Sequence, residues 1–247
     1  MAVLLLTATV TPPRAATNLA RTDPQDRLRD YALALHFYMQ QLDKGVFDSL
    51  VFVENSNSDI SILKSMSLLL RKPAQIEFIS FDGLDYPPEN GRAYGEMVLI
   101  DHAMEHSSFI QAAGPAEIVW KATGRYMVNN LEALMAPRAG ADLYCQCRDF
   151  PTRWADMYFM GWTKQAYADT LGGCSERIRE RPGSGASELE FRKLIDEKAK
   201  VFQVQRRFPA PPEVSGTRGW DNRRYEKQQV KSAFRRLAAY IAPWAWV

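Results

Sequence analysis

The chain carries few cysteines and few histidines, three of each among 247 residues, and almost no charge imbalance, with a formal net charge of +2. Cys145, Cys147 and Cys174 are odd in number and set no disulfide framework. The C-x-C spacing of the first two lacks the second pair that a zinc site needs. All three read as reduced cytosolic thiols. His102 and His106 stand four apart and share a helix face. No Glu lies between them in the H-E-x-x-H arrangement, so no metal site is expected. The small net charge gives no reason to expect nucleic acid as a partner. No apolar run reaches the ~18 residues of a membrane-spanning helix. Val3-Leu4-Leu5-Leu6 is too short for the apolar region of a secretory signal and follows no basic segment. The expected location is the cytoplasm, with the inner membrane face as a peripheral alternative.

At 46% hydrophobic and 24% charged residues, the composition is that of an ordinary globular chain long enough for one large α/β domain. The first half alternates strand and helix patterns. Strands are expected at 3–10, 50–53, 76–81 and 118–123. Helices are expected at 25–42, 60–70 and 95–109, where apolar residues follow helical spacing. Such alternation implies a mostly parallel sheet flanked by helices. The second half is less regular. A strand at 142–147, a mixed segment at 157–171, a helix at 187–202 capped by Ser184 or Ser187, and a last helix at 221–241 are expected there.

The most informative run is Ile118-Val119-Trp120-Lys121-Ala122-Thr123-Gly124-Arg125-Tyr126. It reads as a buried strand ending in a small-residue turn that carries a cation and an aromatic. Open α/β sheets hold ligands at such strand ends. Thr123, Gly124 and Arg125 there suit an anionic, hydroxyl-rich ligand such as a sugar nucleotide. Val53-Glu54-Asn55-Ser56 is a second such strand end, where a carboxylate precedes helix-capping residues. Glu54 could accept hydrogen bonds from a base imide or a ribose hydroxyl, and the following helix start offers free N–H groups to an anion.

These segments, with the first strand Val3 to Thr9, Asp23-Pro24, Arg27, Gly95-Glu96, Arg148-Asp149 to Tyr167 and Ser215-Gly216-Thr217-Arg218-Gly219, together resemble bacterial GT-A-fold glycosyltransferases of capsule and lipopolysaccharide O-antigen synthesis. The resemblance spans nearly the whole chain through the order of its motifs. It implies a GT-A-like domain over residues 1–215, with a basic, aromatic helical extension at 216–247. It also implies a nucleotide-sugar donor, UDP-linked, and a glycan or lipid-linked glycan acceptor. Glu54, Asn55 and Ser56 would take the nucleoside-holding place, with Thr7 and Thr9 flanking it. Galactosyl or galactofuranosyl transfer lies within the family. The chain departs from the broader GT-A pattern at the end of the fourth strand. Where a D-x-D motif would hold a divalent ion, the sequence reads Thr123-Gly124-Arg125. Arg125 and Lys121 are then expected to grip the leaving diphosphate themselves, since a guanidinium binds phosphate in bidentate fashion. A metal-independent transferase with no resident cofactor follows.

Transfer that inverts the anomeric centre needs a base for the acceptor proton. Glu188 and Glu190 open a helix after a Gly-rich loop. Two apart, they point to different sides, and Glu188 is the preferred one; Asp149 and Asp156 are reserves. Retaining transfer would need no such base. Gly95 allows close backbone approach to a ligand. Glu96 suits either sugar hydroxyls or the helix start. Tyr126 accompanies the donor. Arg148, Asp149, Arg153 and Tyr158 fall where an acceptor could bind. Ser215 and Gly216 could reach donor phosphates with backbone N–H groups. Residues 221–247 combine arginines and lysines with aromatics and could lie on an anionic membrane. Two rivals remain: a nucleotide-sugar-binding module without catalysis, and a nucleotidyltransferase. The second would need a Gly-rich basic loop after the first strand, where the sequence has Thr11-Pro12-Pro13-Arg14.

Overall fold

In the computed structural model, residues 2–13, 19–136, 140–180 and 186–225 are described. Arg14, the Arg181 to Gly185 loop and residues 226–247, which hold most of the last helix expected at 221–241, lie outside them, and residues 221–225 form no α-helix. Nine strands are described: β1 (Ala2–Ala8), β2 (Ser49–Glu54), β3 (Ile76–Ser80), β4 (Ile118–Thr123), β5 (Met127–Val128), β6 (Leu143–Arg148), β7 (Trp154–Thr163), β8 (Val204–Gln205) and β9 (Val214–Ser215). The α-helices are α1 (Pro24–Asp43), α2 (Ser61–Met66), α3 (Gly91–His106), α4 (Ser108–Ala112), α5 (Leu131–Met135), α6 (Tyr167–Thr170), α7 (Ser175–Ile178) and α8 (Ser187–Lys198).

The main sheet runs β3-β2-β1-β4-β7-β6-β8. The first four strands of that order are parallel to one another, whereas β7 is antiparallel to both β4 and β6. The chain is thus an α/β protein with a mostly parallel sheet flanked by helices, the class that the strand–helix alternation indicates. Strand side chains alternate between faces, and the core divides accordingly. Val3, Leu5, Val51, Val53 and Val119 pack with α3, α7 and α8. Leu4, Leu6, Leu50, Phe52, Trp120 and Ala122 pack with α1, α2 and α5. Burying apolar area of this kind stabilises by roughly 25 cal/mol per Å², and the two halves together form the fold's interior.

Two helices differ from expectation. The helix read as 95–109 begins at Gly91 and stops at His106, because Ser107 turns extended (φ −74°, ψ 123°). There Ser107 caps α4, its Oγ accepting from Ile110 N at 3.2 Å while it donates to Glu77 Oε2 at 2.5 Å. The helix read as 187–202 ends at Lys198, and its N-cap is Ala186, with no side-chain cap. The mixed segment at 157–171 opens as strand and then turns helical, as read: β7 runs from Trp154 to Thr163, and α6 follows at Tyr167–Thr170. All three cysteines are buried and free. Among the described residues no helix is long and apolar enough to cross a membrane.

Candidate functional site

A cleft of about 570 Å³ opens at the carboxyl ends of β1 and β4. Strand alternation builds its floor. Thr7 and Thr123 are partners in the β1–β4 register, and both point to the α3 face, as Val3, Leu5, Val119 and Lys121 do. The helix α3 covers that face and supplies Glu96. Its Oε1 accepts from Lys121 Nζ at 2.5 Å, Thr123 Oγ1 at 2.7 Å and Thr7 Oγ1 at 3.0 Å. Burial alone would raise the Glu96 carboxyl, but the Lys121 ammonium and the two hydroxyls hold it below the usual carboxylate range. Lys121 also donates to the Met157 carbonyl at 2.6 Å and is 0% exposed. This corrects the expectation of a phosphate-gripping Lys121. Two residues before the end of β4, strand alternation turns it beneath α3, where Glu96 takes its charge.

Arg125 does reach the cleft. Gly124 donates its N–H to the Thr7 carbonyl at 2.9 Å, and a Cβ there would stand 2.7 Å from that oxygen. Only glycine permits so close an approach, and the turn it makes brings Arg125 over the floor. Arg125 is 7% exposed, donates from Nη1 to the Thr217 carbonyl at 3.2 Å and lies 5.0 Å from the Tyr126 ring centroid. Among the described residues no carboxylate pairs with it. A second buried arginine shares the cleft. Arg27, 4% exposed, donates to the carbonyls of Thr9 (2.8 Å) and Arg21 (3.0 Å) and to the Tyr31 hydroxyl (3.2 Å). It has no carboxylate partner among the described residues either. Burial, then Arg125, pushes its pKa down, with Tyr31 opposing. A guanidinium has five N–H donors, so both arginines keep donors to spare. Asp30 and Glu96 act on Arg125 through space without ion-pair contact, so two buried guanidiniums with spare donors are suited to an anion. Sequence reasoning gave Arg27 no role. The available signal was a cation in the first turn of a helix capped by Asp23 and Pro24, where it opposes the macrodipole.

At the end of β4, where an acidic pair would hold a divalent ion, stand instead Thr123, whose hydroxyl donates to Glu96, and the Arg125 guanidinium.

The Glu54 segment lies elsewhere. Glu54 Oε1 accepts from Val10 N (3.0 Å), Ser56 N (2.9 Å) and Ser56 Oγ, and Oε2 from Ser58 N (3.2 Å) and Ser80 Oγ (3.3 Å). The carboxylate is 0% exposed and ties the ends of β1, β2 and β3 together. Its lone pairs are engaged, so the expected nucleoside contact is not available on it. Asn55 accepts from Thr9 Oγ1 at 2.7 Å, and neither Asn55 nor Ser56 lines the cleft, whereas Thr9 does. Ser215 and Gly216 sit behind Arg125. A Cβ at Gly216 would stand 2.8 Å from the Arg125 carbonyl oxygen, and Ser215 Oγ donates to Asn129 Oδ1 at 3.2 Å. Gly95 lines the cleft and leaves room for the Tyr86 hydroxyl, 2.0 Å from where its Cβ would be.

The opposite wall holds Arg148, Asp156, Tyr158 and Glu188. Asp156 accepts from Arg148 (2.9 Å) and Trp154 Nε1 (3.0 Å) on Oδ1 and from the Tyr158 hydroxyl (3.2 Å) on Oδ2. Burial, reinforced by Asp156, pushes the Tyr158 phenol well up. Glu188 is the second residue of α8. Burial pushes its carboxyl above the usual range, with Asp156 and Glu180 adding repulsion. Beside it, Ser187 Oγ is buried without a partner. Glu190 turns out of the cleft to Lys193 at 2.7 Å. Asp149 and Arg153 are also outside, bound to Arg192 and Asp196 respectively, each at 2.6 Å. Trp220 and Tyr225 complete the wall from the carboxyl-terminal segment. That segment is anchored where Ala20 N and Arg21 N donate to the Gly219 carbonyl at 2.8 and 2.9 Å.

The fold and cleft define an α/β protein with two buried guanidinium groups lining a cleft at its parallel strand ends. No family model and no curated protein matches the chain. Among solved structures, it is similar to a Desulfovibrio desulfuricans G20 protein assigned as a nucleotide-diphospho-sugar transferase (14% identity, 83% of this chain and 78% of that one, TM-score 0.48). It is also similar to the galactosyltransferase LgtC in complex with donor and acceptor sugar analogues (8% identity, 82% and 66%, TM-score 0.46). A third likeness is to 4-diphosphocytidyl-2C-methyl-D-erythritol synthase (11% identity, 96% of both chains, TM-score 0.45).

Proposed function

We propose that the cleft is the active site of a GT-A-like glycosyltransferase that takes a sugar from a UDP-linked donor and passes it to a bacterial surface glycan. The observation that carries this reading is Arg125, a buried guanidinium at the end of β4 with no carboxylate partner among the described residues. The donor diphosphate meets Arg125 and Arg27, which neutralise the charge that builds as it leaves. The acceptor hydroxyl oxygen attacks the anomeric carbon. The bond from that carbon to the diphosphate oxygen breaks, its electron pair departs with the nucleotide, and Glu188 takes the acceptor proton. Its raised pKa makes the ionised carboxylate a stronger proton acceptor than an ordinary one. The aromatic wall of Tyr158, Trp220 and Tyr225 suits stacking against acceptor rings. With two guanidiniums at the diphosphate, the reaction is metal-independent.

The test is product formation by the full chain with a panel of UDP-hexoses and glycan acceptors, in excess chelator. Turnover that Arg125→Ala abolishes is expected. Activity that vanishes in chelator and returns with manganese would overturn the metal-independent reading. Nucleotide binding without transfer or donor hydrolysis would leave a binding module.

A further inference from the structure

We infer that Glu96 reads the hydroxyls of the donor's transferred ring, and that the donor class is therefore neutral sugars, with uronic acids rejected. This rests on the reading of the cleft as a nucleotide-sugar site.

All three partners of Glu96 converge on one oxygen, Oε1. Among the described residues Oε2 has no partner. Glu96 nevertheless lines the cleft, and 18% of its side chain is exposed. A carboxylate oxygen is an acceptor only. In a cleft walled by protein it takes hydroxyl donors and repels another carboxylate. Lys121 is a positioning residue: from beneath the floor it fixes the rotamer and keeps Glu96 ionised without entering the cleft. Thr123, which touches Glu96, lies two residues before Arg125, the proposed diphosphate ligand. A group within reach of Oε2 therefore lies next to the diphosphate, to which both the ribose and the transferred ring attach, and the comparison of UDP with its sugar conjugates separates the two.

Titration calorimetry of the full chain with UDP, UDP-glucose, UDP-galactose and UDP-glucuronate tests this. Neutral donors should bind tighter than UDP, and UDP-glucuronate weaker than UDP-glucose by about tenfold or more, the scale of a hydrogen bond to a charged group lost. Glu96→Gln should weaken the neutral donors, leave UDP unchanged and shrink the glucuronate penalty. Because this change strips Lys121 of its counter-charge, the neutral pair Glu96→Gln/Lys121→Met is measured beside it. The wild-type comparison itself needs no variant. Equal binding of glucose and glucuronate donors overturns the inference while UDP binding leaves the nucleotide-sugar reading intact. An equal loss of UDP and UDP-glucose in Glu96→Gln assigns the contact to ribose and also overturns it. Failure of every nucleotide to bind overturns both.

Discussion

Lys121 places its ammonium 2.5 Å from Glu96 Oε1, sealed from solvent between β4 and α3. The pair links the interior to the cleft: one partner is wholly inside and the other shows an oxygen to the ligand. Breaking such a pair from one side leaves a buried charge alone, which costs about 3–5 kcal/mol. Lys121→Met should lower the denaturation free energy by that order, and Lys121→Met/Glu96→Gln should recover much of the loss. Chemical denaturation of the three proteins checks this. The Glu96 carboxyl is held below its unfolded value, so its contribution is present above the unfolded pKa and fades as pH falls through the folded one. The wild-type advantage over the double variant should shrink in acid.

Arg125 and Arg27 predict a ligand-dependent stability. A nucleotide bound only by the native state at a hundred times its Kd adds about 2.7 kcal/mol. In a chain of this length that raises Tm by about 5–10 °C. Arg125→Met should abolish the shift given by UDP, and Arg27→Met should diminish it. Differential scanning fluorimetry with and without nucleotide measures both. An undiminished shift in Arg125→Met would remove the guanidinium from the site.

Glu188 sets opposite demands on stability and activity. Burial raises its pKa, so between the unfolded and folded values the native state binds more protons. Stability therefore falls as pH rises through that interval. Glu188→Gln should melt higher than wild type at neutral pH, with the gain disappearing once the medium is acid enough to protonate the unfolded carboxyl. The same change should lower kcat by about 10²–10⁴. In the wild type, activity should rise with pH along a limb displaced above the ordinary carboxylate range. A pH–rate profile and paired melting curves check the two signs.

The floor of the cleft was written in the period of two. Thr7, Lys121 and Thr123 fall on the face that Val3, Leu5 and Val119 share, so their meeting under one helix follows from alternation. Which of them reaches solvent did not follow, because that depends on where α3 stops covering β4. The class of fold was legible in the strand–helix alternation of the first half. The antiparallel β7 was less so, since its start, Trp154 to Asp156, mixes charge and aromatics and carries no run of alternation. Glu54 misled for a local reason. A carboxylate at a strand end serves a ligand and a loop equally well, and only the five N–H and O–H groups of Val10, Ser56, Ser58 and Ser80 decide for the loop. The distinction between Glu188 and Glu190 was available from helix geometry. Arg27 went unread because its significance lies in what is missing around it.

Gly124 and Gly219 bracket Arg125 from two sides and predict different failures. A Cβ at Gly124 would stand 2.7 Å from the Thr7 carbonyl, backbone against backbone in the centre of the sheet. Neither strand can yield without breaking the Gly124 N–H to Thr7 bond, so Gly124→Ala should destabilise by about 1–3 kcal/mol. A Cβ at Gly219 would stand 2.5 Å from Arg125 Nη2, the far end of a flexible side chain. There the side chain moves instead of the fold. Gly219→Ala should leave the melting temperature of the free protein nearly unchanged while weakening nucleotide binding, because the displaced atom is the proposed phosphate ligand. Measuring Tm and UDP affinity on both variants separates a glycine kept for the fold from one kept for the site. The same weakening from Gly219→Ala at unchanged stability would tie the carboxyl-terminal segment to the anion site through Arg125 alone.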